Sequence, residues 1–198
     1  MFPFLTVFII FLLVVYAIRA RNTHKRERIV AAFWEREEEA MHTPAKDLSQ
    51  APYVKVPVDN FPIGVCDEDD LMLMEEELLE LSGKPLLNLN GMTNTDIRIE
   101  YGTSNFDTIT AMGEDFDRLI MLLCDYAKGL LENDFMQEAV TVLEYGVSIG
   151  SDVSENYTLL GECYRSQEMY DKLARLTDTV EHSSLPLKES VIRELKES

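Results

Sequence analysis

Asp67, Asp69 and Asp70 form the densest group of potential ligands in the chain. Clustered carboxylates are what hard divalent cations prefer, and a metal-activated water at such a cluster would make a hydrolase. Their placement favours a different role. They lead into LMLMEEELLEL, where acidic side chains complement the dipole of a starting helix and adjacent residues point in different directions. No suitably spaced partner appears elsewhere, so metal-dependent hydrolysis is the weakest reading and no cofactor is expected. Cys66, Cys124 and Cys163 stand far apart with no CxxC pair, which argues against a zinc site or a disulfide framework. They read as small buried thiols in a reducing compartment. His24, His42 and His182 share no ligand spacing. Asn88, Asn90, Asn94, Thr95 and Asn105 could contact a polar ligand, but this Asn/Thr/Gly-rich stretch reads better as a structured loop. With no GxGxxG, no phosphate-cradling loop and no Ser/His/Asp set, the chain is not expected to be an enzyme.

Charge narrows the partners. Over 198 residues the formal net charge is −18. The segment 1–28 carries five Lys/Arg against one Glu, a balance of +4, so the rest of the chain carries −22. A body this acidic repels phosphate backbones, and nucleic-acid binding is excluded as an expectation.

The seventeen residues from Phe2 to Ile18 are almost pure hydrocarbon, and as a helix they would be about 25 Å long. No Lys or Arg precedes this run, and Arg19, Arg21, Lys25, Arg26 and Arg28 follow it, the inverse of a signal peptide. By the positive-inside rule, the expectation is an uncleaved anchor in the cell membrane, with the N-terminus outside and the body in the cytoplasm. On a cytoplasmic helix the sequon Asn156-Tyr-Thr carries no meaning; a secreted chain would bring it into play as a glycan site.

Residues 19–42, rich in Arg, Glu and Ala, predict a helical stalk ending before Pro44. Its Phe33 and Trp34 could meet lipid, the body or another stalk. Residues 43–66 hold four prolines and read as an extended linker whose second half lies along the body. Val54, Val56 and Val58 alternate like an edge strand, and Ile97 to Tyr101 could pair with them. A helix is expected from Asp67 to Leu81, stopped by Ser82-Gly83 and Pro85.

Between about Leu119 and Val180 the sequence repeats with a period of about 34 residues. Leu123 falls on Tyr157, Tyr126 on Leu160, Ala127 on Gly161, Leu130 on Tyr164 and Met136 on Tyr170. That period, with sizes in that order, marks a helix–turn–helix repeat. It resembles the tetratricopeptide repeat (TPR) family. In the second unit Tyr157, Leu160, Gly161, Tyr164, Tyr170 and Asp171 stand where the family expects aromatic, Leu, Gly, Tyr, Tyr and Asp. In the first unit Leu123, Tyr126, Ala127, Leu130 and Ala139 match, while Leu173 departs from the small residue expected in the second.

The fold expected is therefore mainly α. Residues 1–18 form a single transmembrane helix, 19–42 a stalk and 43–66 the linker. Residues 67–198 form a TPR-like helical stack, with repeats at about 120–153 and 154–187 and a capping helix at 187–196. A short two-stranded β element is allowed near 53–58 and 97–101. The resemblance implies a groove that binds a peptide or protein, lined by the first helix of each pair. By position the groove would show Met121, Cys124, Lys128, Glu155, Thr158, Glu162 and Arg165. With Glu155, Glu162 and the acidic body, a basic or mixed-charge partner is expected. The chain reads as a membrane-anchored interaction module, an adaptor, scaffold or assembly factor. The alternative is a structural membrane protein that self-associates as a homo-oligomer.

Overall fold

The computed structural model describes residues 2–197; the side chains of Phe2, Pro3, Leu5, Ala17, Ile18, Ala20 and Asn22 lie outside the described set. The described residues form helices and turns with no strand, and they divide into two units. One unit comprises Met1–Lys46 with Thr93–Phe106, the other Asp47–Met92 with Asp107–Ser198.

In the first unit α1 (Phe2–His42) is one unbroken helix of 41 residues. Nothing after Pro3 interrupts it until Thr43-Pro44, and the Thr43 hydroxyl satisfies the Glu39 carbonyl at its end (2.8 Å). A second helix, α3 (Asn94–Tyr101), lies against its C-terminal part. Arg36 pairs with Asp96, the Thr95 hydroxyl donates to Glu37, and the Thr103 hydroxyl donates to the Ala40 carbonyl. Gly102 sits at φ +91°, and a β-carbon there would collide with the Pro44 carbonyl. Only glycine accommodates both the left-handed backbone and the approach of the chain after α1.

Two expectations fail here. The anchor expected over Phe2–Ile18 rests partly on side chains outside the described set, and among the described residues no helix is long and apolar enough to cross a membrane. An apolar run of that length, at about 1.5 Å rise per residue, falls short of a hydrocarbon core about 30 Å thick, and beyond Ile18 the same helix turns charged. The single-pass anchor is corrected accordingly, and with it the cell-membrane localisation and topology deduced from it. The β element is corrected too. Residues 97–101 are part of α3, whose start is fixed by a capping box: the Thr93 hydroxyl takes the Asp96 N–H while the Asp96 carboxylate takes the Thr93 N–H. Val54 pairs instead with Leu86, in an isolated antiparallel bridge.

The second unit is built on α2 (Asp69–Ser82), most of α4 (Phe106–Glu132), α5 (Met136–Ser148), α6 (Ser154–Ser166), α7 (Tyr170–His182) and α8 (Lys188–Glu197). Helix α2 runs antiparallel to α4. Leu71 meets Gly129, Glu77 pairs with Arg118, and Lys84 reaches Asp115 at 3.3 Å, so numbers rise on one helix as they fall on the other. One apolar core joins Leu71, Leu78 and Leu81 to Phe116, Leu119, Leu123, Tyr126 and Leu130, and continues through Leu143 and Leu160 to Val191 and Leu195.

The period of the sequence is written into the backbone. Helices α4 and α6 end at Glu132 and Ser166, and α5 and α7 run from Met136 to Ser148 and from Tyr170 to His182. Asp134 and Glu168 both take positive φ, and the N–H groups of Phe135 and Met169 close back on the carbonyls of Leu130 and Tyr164. Capping in the left-handed region ends each first helix the same way. Helix α8 begins at Lys188, one full period beyond the Ser154 start of α6, in the position of a third first helix. Gly161 lies where a β-carbon would strike Leu195 of α8 and touch Leu173 of α7, so this glycine sets the approach of both. Gly146 of α5 plays the same part against Asn156 of α6.

The proline-rich segment is stapled to this body by tyrosines. Phe61 is buried edge-to-face on Tyr145 (5.2 Å between ring centres), and the Tyr145 hydroxyl donates to the Lys55 carbonyl (3.1 Å). The Tyr126 hydroxyl lies 2.7 Å from the Pro62 carbonyl.

Candidate functional site

The exposed stripe of α4 runs through Arg118, Met121, Asp125, Lys128 and Glu132, spaced by three and four so that they share one face. Helix α2 rises on one side of it and α6 on the other. The α2 wall is fixed by the Arg118–Glu77 pair, the α6 wall by Lys128, whose ammonium lies 2.7 Å from Glu155 and 3.3 Å from Asp125. The Glu155 carboxylate holds the Lys128 ammonium above its ordinary range, so it stays charged at any physiological pH. Between α2 and α4 lies a cavity of about 260 Å³ that includes Asp70, Met74, Asp125, Lys128 and Glu132 in its lining. The result is an acidic valley with α4 as its floor.

The residues expected to line a groove fall into four groups. Met121, Lys128, Glu155 and Glu162 present themselves to solvent or to one another across the valley; Met121 is 54% exposed. Thr158 is half-buried, its hydroxyl turned back to the Glu155 carbonyl (3.2 Å). Arg165 is committed to the stack, donating to the Glu194 carbonyl of α8 at 2.7 Å. Cys124 faces inward at 2% exposure, and burial pushes its thiol up to about 11. It is neither groove surface nor a nucleophile at neutral pH. The repeat spacing places Cys124 level with half-buried Thr158, so the period alone does not separate the inward-facing position from the partly exposed one.

Sequence reasoning did not assign Asp70, Met74 and Glu77 to this surface. They recur at helical spacing in α2, but their position against α4 depends on a contact between segments far apart in the chain, for which no local pattern exists.

The other candidates are structural. Asp69 and Asp70 occupy the first turn of α2, and no group of three or more His, Cys, Asp or Glu among the described residues could hold a metal ion. The Asn88 amide donates to the Ile149 carbonyl (2.9 Å) and the Asn90 amide to the Gly150 carbonyl (3.1 Å), so both pin the 86–92 loop to the turn after α5. Asn105 joins the Lys46 and Tyr101 carbonyls within the first unit. Asn156 is fully buried and donates to the Leu143 carbonyl (3.0 Å), so its sequon cannot accept a glycan in the folded chain. Burial also raises the Cys163 thiol.

No family model, curated protein or solved structure matches the chain.

Proposed function

We propose that the second unit is a protein-interaction module, a small TPR-like stack that binds a protein or peptide partner along the valley over α4 and the exposed face of α6. The observation that carries this reading is the recurrence, at one fixed period, of helix ends, left-handed turn residues and closing hydrogen bonds, with α8 in register as a third first helix. Stacked helical hairpins of this period bury their cores against their neighbours and leave the first helices aligned as one surface. No catalytic step is part of the reading: its polar residues are turned to recognition. The partner complements a surface rich in carboxylates and is basic or of mixed charge.

Glu162 is the exposed acidic position on α6 with no ion-pair partner among the described residues, so reversing it leaves the stack intact. Co-purification of the intact chain with its partner is expected to fall on Glu162→Lys, while the helical circular dichroism signal and melting temperature stay unchanged. A partner retained in full by this variant argues against the reading.

A second reading, self-association through α1, is favoured by one observation. Phe4, Phe8, Phe11 and Tyr16 are among the apolar side chains exposed along its first half. Light scattering separates the two: self-association makes the mass of the full chain fall when these residues are replaced by Ser, whereas binding in the valley is indifferent to them.

A further inference from the structure

We infer that the occupant of the valley is a cationic amphipathic helix of a partner protein, seated with its apolar stripe on Met121 and Met74. This rests on the reading of the second unit as an interaction module and adds the chemistry of what it binds. Met121 stands 54% exposed on the α4 floor, and Met74 lines the adjoining cavity of about 260 Å³. Unbranched thioether side chains adapt to the apolar face of a helix without demanding one shape, which is how promiscuous helix-binding grooves are built.

The charges around this apolar centre are unbalanced in one direction. Both cations of the α4 stripe are already committed, Arg118 to Glu77 and Lys128 to Glu155 and Asp125. Asp70 and Glu132, on the α2 and α4 sides of the cavity, have no basic partner among the described residues. A ligand that placed Lys or Arg on both flanks of a Leu or Met stripe would neutralise these carboxylates and cover the methionines together. Charge alone would not: an extended basic peptide leaves Met121 and Met74 wet. From Arg118 to Glu132 the floor is about 21 Å long, room for nearly four turns of helix. The fold offers no sheet edge among the described residues, so strand addition is not available.

The test is fluorescence anisotropy on the full chain with labelled peptides of about 18 residues, long enough for a helix to form on the surface. The first is an amphipathic Leu/Lys helix, and the second has the same composition scrambled to destroy the apolar face. The third is the chain's own Arg19–Arg36 segment. The amphipathic peptide is expected to bind at least about tenfold more tightly than the scrambled one. Asp70→Lys, Glu132→Lys and Met121→Glu, all at exposed positions, are each expected to weaken it by about tenfold. Glu132→Lys and Met121→Glu leave the melting temperature unchanged, whereas Asp70→Lys, which puts a cation in the first turn of α2, lowers it slightly, so the first two variants carry the test. Equal binding of the scrambled peptide overturns the inference, since charge would then suffice; no binding overturns it outright. Tighter binding of the chain's own segment also overturns it and makes the occupant a second copy. If the natural partner is still lost on Glu162→Lys while the amphipathic peptide does not bind, the interaction module stands and only the assigned chemistry falls.

Discussion

The Tyr126 hydroxyl lies 2.7 Å from a carboxylate oxygen of Glu75, in a part of the core where Tyr126 is 1% and Glu75 7% exposed. The same oxygen of Glu75 accepts the Gly64 N–H (2.9 Å), and the same hydroxyl reaches the Pro62 carbonyl. One buried acid thus ties α2, α4 and the proline-rich segment together. Burial and then the Glu75 hydrogen bond push the Tyr126 hydroxyl far above its ordinary range, so it serves only as a donor.

Tyr126→Phe keeps the ring and deletes the one O–H donor that Glu75 and the Pro62 carbonyl share inside the core. A loss of about 1–3 kcal/mol is expected in urea unfolding. Tyr145→Phe removes a half-buried hydroxyl bonded, among the described residues, to the Lys55 carbonyl alone and should cost less, about 0.5–1.5 kcal/mol. Equal losses would mean that the buried carboxylate contributes nothing to the difference.

Glu168 holds φ +57° and Asp134 φ +66° at equivalent turns. A left-handed backbone costs glutamate more than aspartate, whose short side chain tolerates it. Glu168→Gly is expected to stabilise the chain by about 0.5–1 kcal/mol, and Asp134→Gly by less. Denaturant midpoints of the two variants, measured side by side, give the order directly.

At Gly102 the opposite change is informative. Gly102→Ala places a methyl group on the Pro44 carbonyl at φ +91°, a strain of about 1–3 kcal/mol. Hydrogen exchange should report it locally, as faster exchange of the α3 amides with α5 to α7 unchanged. Uniform loss of protection would show that the two units do not unfold separately.

The carboxyl of Asp117 is held above its ordinary range, first by desolvation and then by the neighbouring carboxylates of Asp152 and Glu114. An acid whose folded pKa is raised costs stability once ionised. The cost is absent below the unfolded pKa, grows as pH rises toward the folded one, and is complete above it. Asp117→Asn should therefore raise the melting temperature at about pH 7 and have little effect at about pH 3, below the unfolded aspartate value. A rise of the same size at both pH values would rule out the electrostatic origin.

The repeat was legible because it is local. Leu123, Tyr126, Ala127 and Leu130 form one helix face, their counterparts one period on form another, and Gly161 is small because Leu195 lies on it. Helix α3 was not legible: Ile97 and Ile99 alternate over a span too short to separate period 2 from period 3.6. The cap that decides it uses Asp96 where the usual box has Glu or Gln. The valley was half legible. Met121, Lys128 and Glu155 were named by position from the resemblance to TPR repeats, whereas Asp70 and Met74 reach it only through the packing of α2 on Gly129, a contact between distant segments. The apolar run after Phe2 shows the limit of composition, which marks a segment as hydrophobic without fixing whether it is long enough to span a bilayer.

The most direct measurement is site-specific photo-crosslinking of the intact chain in cells, with the probe at Met121 on the valley floor or at Thr141, exposed on α5. The account predicts one discrete polypeptide adduct from Met121, none from Thr141, and loss of the adduct when Asp70→Lys and Glu162→Lys are added. Adducts of equal yield from both positions, or an adduct from Met121 indifferent to those two changes, would contradict it.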